Sequence, residues 1–185
     1  MTAFASSRHS GRFAPGPIAA IPATGMIMAD LMLDEPTGEA TFSAYVPADA
    51  LPHAENSLAA LSGYRIEAPL TLKTYVATTV ERAWDNPLRG LSCEQVRMLV
   101  GQEFGLEWLA LAVAHFVSNY PAADINYYPG DLTLSALRAF EQIERISGDA
   151  ARLLRDADYS WMADCFTFSK DLPAEARDLV SRIRQ

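Results

Sequence analysis

The chain has 185 residues, of which 50% are hydrophobic, and a formal net charge of −8. This length favours one domain with a sizeable core. The negative charge argues against binding to nucleic acid through its phosphates and favours a basic protein as any macromolecular partner. No apolar run reaches the length of about 18 residues that would predict a membrane-spanning helix.

The N-terminal residues carry no clear structural signal. Residues 1–25 are rich in Ala, Ser, Gly and Pro and show no periodicity, so we expect a disordered tail. The alternative is a start codon assigned too early, with Met26 or Met28 as the true first residue. A secretory signal is disfavoured because Pro22 and Gly25 interrupt the apolar run.

Short elements are expected in residues 26–56, where three prolines and a glycine argue against long ones. The stretch 40–46 predicts a short strand or an extended arm. After it, Ser57 can cap a short helix, Leu58 to Leu61, which Gly63 closes.

Two helices with clear boundary signals follow. The first is predicted over Thr71 to Trp84 and ends at Asn86-Pro87, because a residue before proline avoids the helical region. The second begins at a capping box formed by Ser92 and Gln95. Its residues expected to face water are Glu94 and Arg97.

The centre of the chain is its most hydrophobic part. Leu106 to Val117 is apolar nearly all round, which predicts a central buried helix. Pro129 and Gly130 fit the middle of a type II turn, and Asp131 is expected to be the N-cap of a helix that runs to Ser147.

The remaining sequence predicts two more helices. Gly148 is expected to close the preceding helix, Asp149 to cap the next, and Asp171 to cap the last, with Pro173 in its first turn. The predicted fold class is therefore mainly α. We expect residues 26–185 to form one domain, a compact irregular bundle of five to six helices with a possible short strand or extended arm near 40–46.

The residues that usually carry chemistry do not form a recognisable site. His9, His53 and His115 lack metal-ligand spacing. Cys93 and Cys165 are far apart, which favours two free thiols in a reducing cytosol, with a single disulfide as the alternative. A helix dipole could lower the pKa of the Cys93 thiol, although plain packing is favoured. We predict no catalytic residue, no metal and no cofactor.

The charge distribution is uneven. The stretch 13–64 contains no Lys or Arg but six acidic residues, giving it a net charge of −6. A solvated acidic surface is one interpretation, and a docking surface for a basic protein is the other. The six acidic residues are Asp30, Asp34, Glu35, Glu39, Asp49 and Glu55. A second candidate surface contains Glu94, Glu103 and Glu107.

Two blocks of sequence resemble a known family. The first runs from Asn86 through Leu91-Ser92-Cys93-Glu94-Gln95-Val96-Arg97-Met98-Leu99-Val100-Gly101-Gln102 to Gly105-Leu106, and the second is Tyr127-Tyr128-Pro129-Gly130-Asp131-Leu132. Together they resemble the mainly helical branch of the immunity proteins of contact-dependent growth inhibition systems, over roughly residues 57–137. The motif residues expected to be structural are Leu91, Ser92, Arg97, Leu99, Gly101, Gln102, Gly105, Tyr128, Pro129, Gly130, Asp131 and Leu132.

The resemblance implies a non-enzymatic cytoplasmic protein that binds the toxic C-terminal domain of a cognate effector, often a nuclease. We expect a 1:1 complex with this basic domain, no nucleic-acid or membrane partner, and a monomer or weak dimer in isolation. The expected interface comprises Asp34, Glu35, Glu39, Asp49 and Glu55, with Glu94, Glu103 and Glu107 as the second candidate. Two alternatives stay open: a helical structural or regulatory protein, and an enzyme that uses carboxylates.

Overall fold

A computed structural model describes residues 34–66, 74–162 and 172–185, so the tail predicted over residues 1–25 lies outside the described residues. The described ranges are mainly helical, with eight α-helices and no β-strand. None of the helices in these ranges is long and apolar enough to cross a membrane. The helices are α1 Leu58–Ser62, α2 Tyr75–Asp85, α3 Cys93–Gly101, α4 Leu106–Asn119, α5 Asp131–Arg138, α6 Phe140–Ile146, α7 Gly148–Asp156 and α8 Leu172–Ile183.

The most hydrophobic helix lies at the centre, as predicted. Helix α4 packs against α5, α6 and α7, and eight of its side chains are buried. A cluster of aromatic rings closes one end of this core, where Phe42 stacks on Phe116 with 5.4 Å between ring centroids. Burial of such large rings is among the main contributions to core stability. The core therefore forms around α4, with α5, α6 and α7 packed directly on it.

Several helix boundaries follow the local signals in the sequence. The Ser57 hydroxyl accepts a hydrogen bond from the Ala60 amide, and Gly63 closes α1 in the left-handed conformation. At α3, the Gln95 amide donates to Ser92 Oγ at 3.2 Å, and the Ser92 amide donates to Gln95 Oε1 at 3.0 Å. This reciprocal pair is the predicted capping box.

The predicted arm at 40–46 is extended only at its beginning. Thr41 and Ser92 form an isolated antiparallel bridge, in which the Phe42 amide donates to the Leu91 carbonyl at 2.9 Å. The chain then turns into the 3-10 helix Phe42–Tyr45, which places Phe42 fully in the core. Burial of this ring therefore ends the extended conformation after one bridge.

The prediction of a single helix from Asp131 to Ser147 is wrong, because two helices meet at Ala139. The Ala139 ψ angle is 4°, far from the helical value of about −42°, although no proline or glycine is present. The two halves both contact α4 but otherwise pack on different neighbours: α5 also contacts α3 and α8, whereas α6 also contacts α7. A change of direction lets each half bury its own apolar side chains.

The boundary between α6 and α7 also differs from the prediction. Ser147 ends α6 and caps α7, since its hydroxyl accepts a hydrogen bond from the Ala150 amide at 3.2 Å. Gly148 is therefore the first residue of α7 rather than a closing residue, and Asp149 is not the cap. The cap predicted at Asp171 lies outside the described residues, but α8 carries Pro173 in its first turn as expected.

Candidate functional site

The two sequence blocks meet at an ion pair inside the fold. Arg97 Nε of the first block lies 3.5 Å from Asp131 Oδ2 of the second. The Asp131 side chain is 1% exposed and that of Arg97 is 12% exposed, so the expectation that Arg97 faces water is wrong. A charged residue is buried here because an opposite charge on another helix lies beside it.

The turn before Asp131 has the hydrogen bond and the glycine conformation of the predicted type II turn. The Asp131 amide donates to the Tyr128 carbonyl at 3.1 Å, and Gly130 has a φ of 76°. Gly130, however, is the N-cap, and Asp131 is the first residue of α5. The Oδ2 atom of Asp131 accepts hydrogen bonds from the backbone amides of Asn126 and Tyr127, each at 3.2 Å.

Burial dominates the electrostatics of the Arg97–Asp131 ion pair, which joins α3 to α5 and which we call the joint. It raises the pKa of Asp131, whereas the hydrogen bond from Tyr127 and the charge of Arg97 oppose that rise. The Tyr127 ring covers the joint, with its centroid 4.7 Å from the guanidinium carbon of Arg97, and is 59% exposed. Arg97 and Asp131 therefore form an internal joint between α3 and α5, and Tyr127 forms its outer surface.

Next to this joint, three polar side chains from three parts of the chain converge. The Oε1 atom of Glu94, at the start of α3, accepts hydrogen bonds from the Tyr75 hydroxyl of α2 and the Asn126 side-chain amide. The hydrogen bond to Glu94 raises the pKa of Tyr75, because the phenol must carry its proton to donate it. Glu94 was expected to face water and is half-buried instead. We call Tyr75, Glu94, Asn126 and Tyr127 the tyrosine–carboxylate cluster.

Part of the predicted acidic interface lies beside this cluster. Asp34, Glu35 and Glu39, which we call the acidic segment, are exposed. The Glu94 amide donates to the Gly38 carbonyl at 3.0 Å, which holds Glu39 next to the start of α3. Among the described residues, no Lys or Arg forms an ion pair with Glu94 or with any carboxylate of the acidic segment.

The remaining predicted interface residues lie elsewhere. Asp49 is exposed on the 3-10 helix Ala48–Ala50, and Glu55 pairs with Arg89 at 3.1 Å. Glu103 and Glu107 are exposed at the junction of α3 and α4. Glu94 is at the opposite end of α3, about 10 Å along the helix axis from Gly101, so the second predicted surface is split. Asp30 lies outside the described residues.

The other motif residues divide into buried and surface positions. Leu91, Leu99 and Leu132 are buried in the core. Gly105 is the left-handed N-cap of α4. Gly101 and Gln102, at the end of α3, are exposed, whereas Tyr128 and Pro129 are half-buried.

Cys93 lies in the core. Its thiol is free and buried, and burial raises its pKa to about 12, which agrees with the plain packing that the sequence favours over a thiol pKa lowered by the helix dipole. His115 is half-buried in α4, and Cys165 and His9 lie outside the described residues. Within the described part of the chain, no group of three His, Cys, Asp or Glu side chains is placed to hold a metal ion.

Comparison of the chain with protein-family models, curated proteins and solved structures found no match. The geometry of the chain is therefore the basis for the functional argument. Sequence reasoning identified the acidic residues but missed the aromatic ones beside them. The large apolar side chains among the described residues that remain exposed are Tyr64, Tyr75, Phe104 and Tyr127, and two of these belong to the tyrosine–carboxylate cluster.

Proposed function

We propose that this protein is an immunity protein that binds the toxic C-terminal domain of a contact-dependent growth inhibition effector and blocks it. The observation that carries the proposal is the acidic segment next to Glu94, whose exposed carboxylates form no ion pair with the described residues. This surface adjoins the joint formed by the two sequence blocks that resemble the family.

Charge complementarity links this surface to the proposed partner. A nuclease holds phosphates on a positively charged surface, and an acidic protein can compete for that surface. Because a toxin turns over rapidly, protection of the cell requires a dissociation constant near or below about 1 nM, which corresponds to about −12 kcal/mol.

The division between joint and surface also fits the proposal. Arg97 and Asp131 hold α3 and α5 together from inside, where a partner does not reach them. The exposed residues around them can then differ between proteins without loss of the joint. Such residues set the choice of partner through favourable and unfavourable charge contacts.

The direct test is co-expression with the C-terminal domain encoded by the upstream gene, about 150 residues at the usual domain size. We expect a 1:1 complex on purification, a nanomolar dissociation constant by calorimetry, and growth of cells that otherwise die from the toxin domain. A harmless upstream domain that does not bind would refute the proposal.

The acidic segment should act mainly on the rate of association. Reversing it with Asp34→Lys, Glu35→Lys and Glu39→Lys is expected to slow association about tenfold at low salt, with a smaller effect at high salt. Stopped-flow measurement of the association rate checks this.

A matched control places the same change of charge elsewhere. Glu141→Lys, Asp156→Lys and Asp178→Lys alter exposed acids on α6, α7 and α8. This variant should slow association much less. Equal slowing by both triple variants would show that net charge matters and that the acidic segment has no special part.

A further inference from the structure

We infer that the tyrosine–carboxylate cluster is the binding site for an arginine side chain of the partner. This inference rests on the proposed function and names the contact at its centre. The cluster offers a carboxylate with a free oxygen, two exposed aromatic rings and a negative surrounding charge.

The carboxylate is held in place but not saturated. Both internal donors, the Tyr75 hydroxyl and the Asn126 amide, bind the Oε1 atom of Glu94. No described residue donates a hydrogen bond to Oε2. A carboxylate fixed through one oxygen presents the other in a defined direction, which suits a charge-assisted hydrogen bond from an incoming cation.

The two rings beside Glu94 favour arginine as that cation. Tyr75 is 53% exposed and Tyr127 is 59% exposed, which is unusual for residues of this size in the described part of the chain. A guanidinium group is planar and weakly hydrated, so it can stack on an aromatic ring while its N–H groups reach a carboxylate. Tyr127 already packs on Arg97 in this way.

The local charge selects a cation over an anion. The only described cation in contact with the cluster, Arg97, is paired with Asp131. Glu94 and the neighbouring Glu39 have no such cationic partner among the described residues. An arginine seated here would replace water around Glu94 with a charge partner, and aromatic residues and arginine are the usual energetic centres of protein interfaces.

The first test compares two glutamates in the same helical position. Glu94→Gln keeps an oxygen that can accept from Tyr75 and Asn126 but removes the charge. Glu141→Gln removes an equal charge from the exposed second residue of α6, as Glu94 is the second residue of α3. With the upstream toxin domain in calorimetry, Glu94→Gln is expected to raise the dissociation constant at least about tenfold, and Glu141→Gln less than about twofold.

The second test removes a ring and keeps an apolar side chain. Tyr127→Leu is expected to raise the dissociation constant about fivefold, whereas Tyr64→Leu, at another exposed tyrosine, should leave it unchanged. Circular dichroism establishes that each variant is folded before binding is measured.

The outcomes separate the two proposals. If the wild-type protein does not bind the toxin domain, the proposed function fails. If the wild-type protein binds tightly and Glu94→Gln and Tyr127→Leu bind as their controls do, the proposed function stands and the arginine site is overturned.

Discussion

Replacing Gly130 with alanine is expected to lower the free energy of unfolding by about 4 kcal/mol. Two costs combine at this position. The φ angle of 76° is unfavourable for any residue with a Cβ atom, at about 1–2 kcal/mol. An added Cβ would also lie 1.9 Å from Cη2 of Trp161, so the indole or the turn must move, at a further cost of about 1–3 kcal/mol.

Gly63 provides the matched control for this substitution. Its φ angle is 70°, but an added Cβ would meet no atom within 4 Å. Gly63→Ala should therefore cost only the conformational part, about 1 kcal/mol. Urea unfolding of both variants measures the difference. Similar losses would mean that Trp161 moves aside freely and that its close approach does not constrain the turn.

Replacing Arg97 with methionine is expected to lower the free energy of unfolding by about 3 kcal/mol at neutral pH. Methionine fills much of the same space, but the Asp131 carboxylate would stay buried without its cation. Loss of one member of a buried ion pair usually costs about 3–5 kcal/mol. The comparison is Arg138→Met, which removes an ion pair to Glu175 whose side chains are 48% and 40% exposed, and should cost about 1 kcal/mol or less.

A lower pH and a second substitution should each restore part of the free energy of unfolding that Arg97→Met loses. The native pKa of Asp131 is raised above its ordinary value of 3.8, so the folded state takes up a proton more readily than the unfolded chain. The free energy of unfolding contributed by this group therefore rises as the pH falls through the raised pKa, and levels off below the ordinary one. Loss of the Arg97 charge raises the pKa of Asp131 further, so this increase in the free energy of unfolding begins at a higher pH.

The double variant Arg97→Met, Asp131→Asn should be more stable than Arg97→Met alone. Asparagine keeps an oxygen for the Asn126 and Tyr127 amides but carries no charge. Thermal unfolding across the acid range, with all four members of the double-mutant cycle, tests the coupling. Additive effects of the two substitutions would show that Arg97 and Asp131 do not interact energetically.

The features that the sequence predicts well are set by neighbours within a few residues. The Ser92 and Gln95 capping box requires only side chains three positions apart. The turn at Pro129 and Gly130 depends on the backbone preferences of those two residues. The all-round apolar character of α4 likewise leaves the core as its only stable place.

The features that the sequence did not predict depend on distant partners. Arg97 has the spacing of a solvent-facing residue, and only the approach of α5 brings Asp131 beside it. The break at Ala139 carries no local signal, because two different packing surfaces require it. In the candidate site, composition revealed the acidic residues, but the meeting of Tyr75, Glu94 and Asn126 joins residues up to 51 positions apart.

The backbone hydrogen bonds between residues 38–42 and 91–94 have a consequence for the entropy of association. The carbonyls of Gly38 and Ala40 accept from the amides of Glu94 and Cys93, at 3.0 and 2.9 Å. The backbone on both sides of Glu39 is thus held in place before any partner arrives. A preformed surface loses little conformational entropy on binding. A segment that folds on contact loses more, and its affinity is lower as a result. Encounter would then be limited by diffusion and charge rather than by an ordering step.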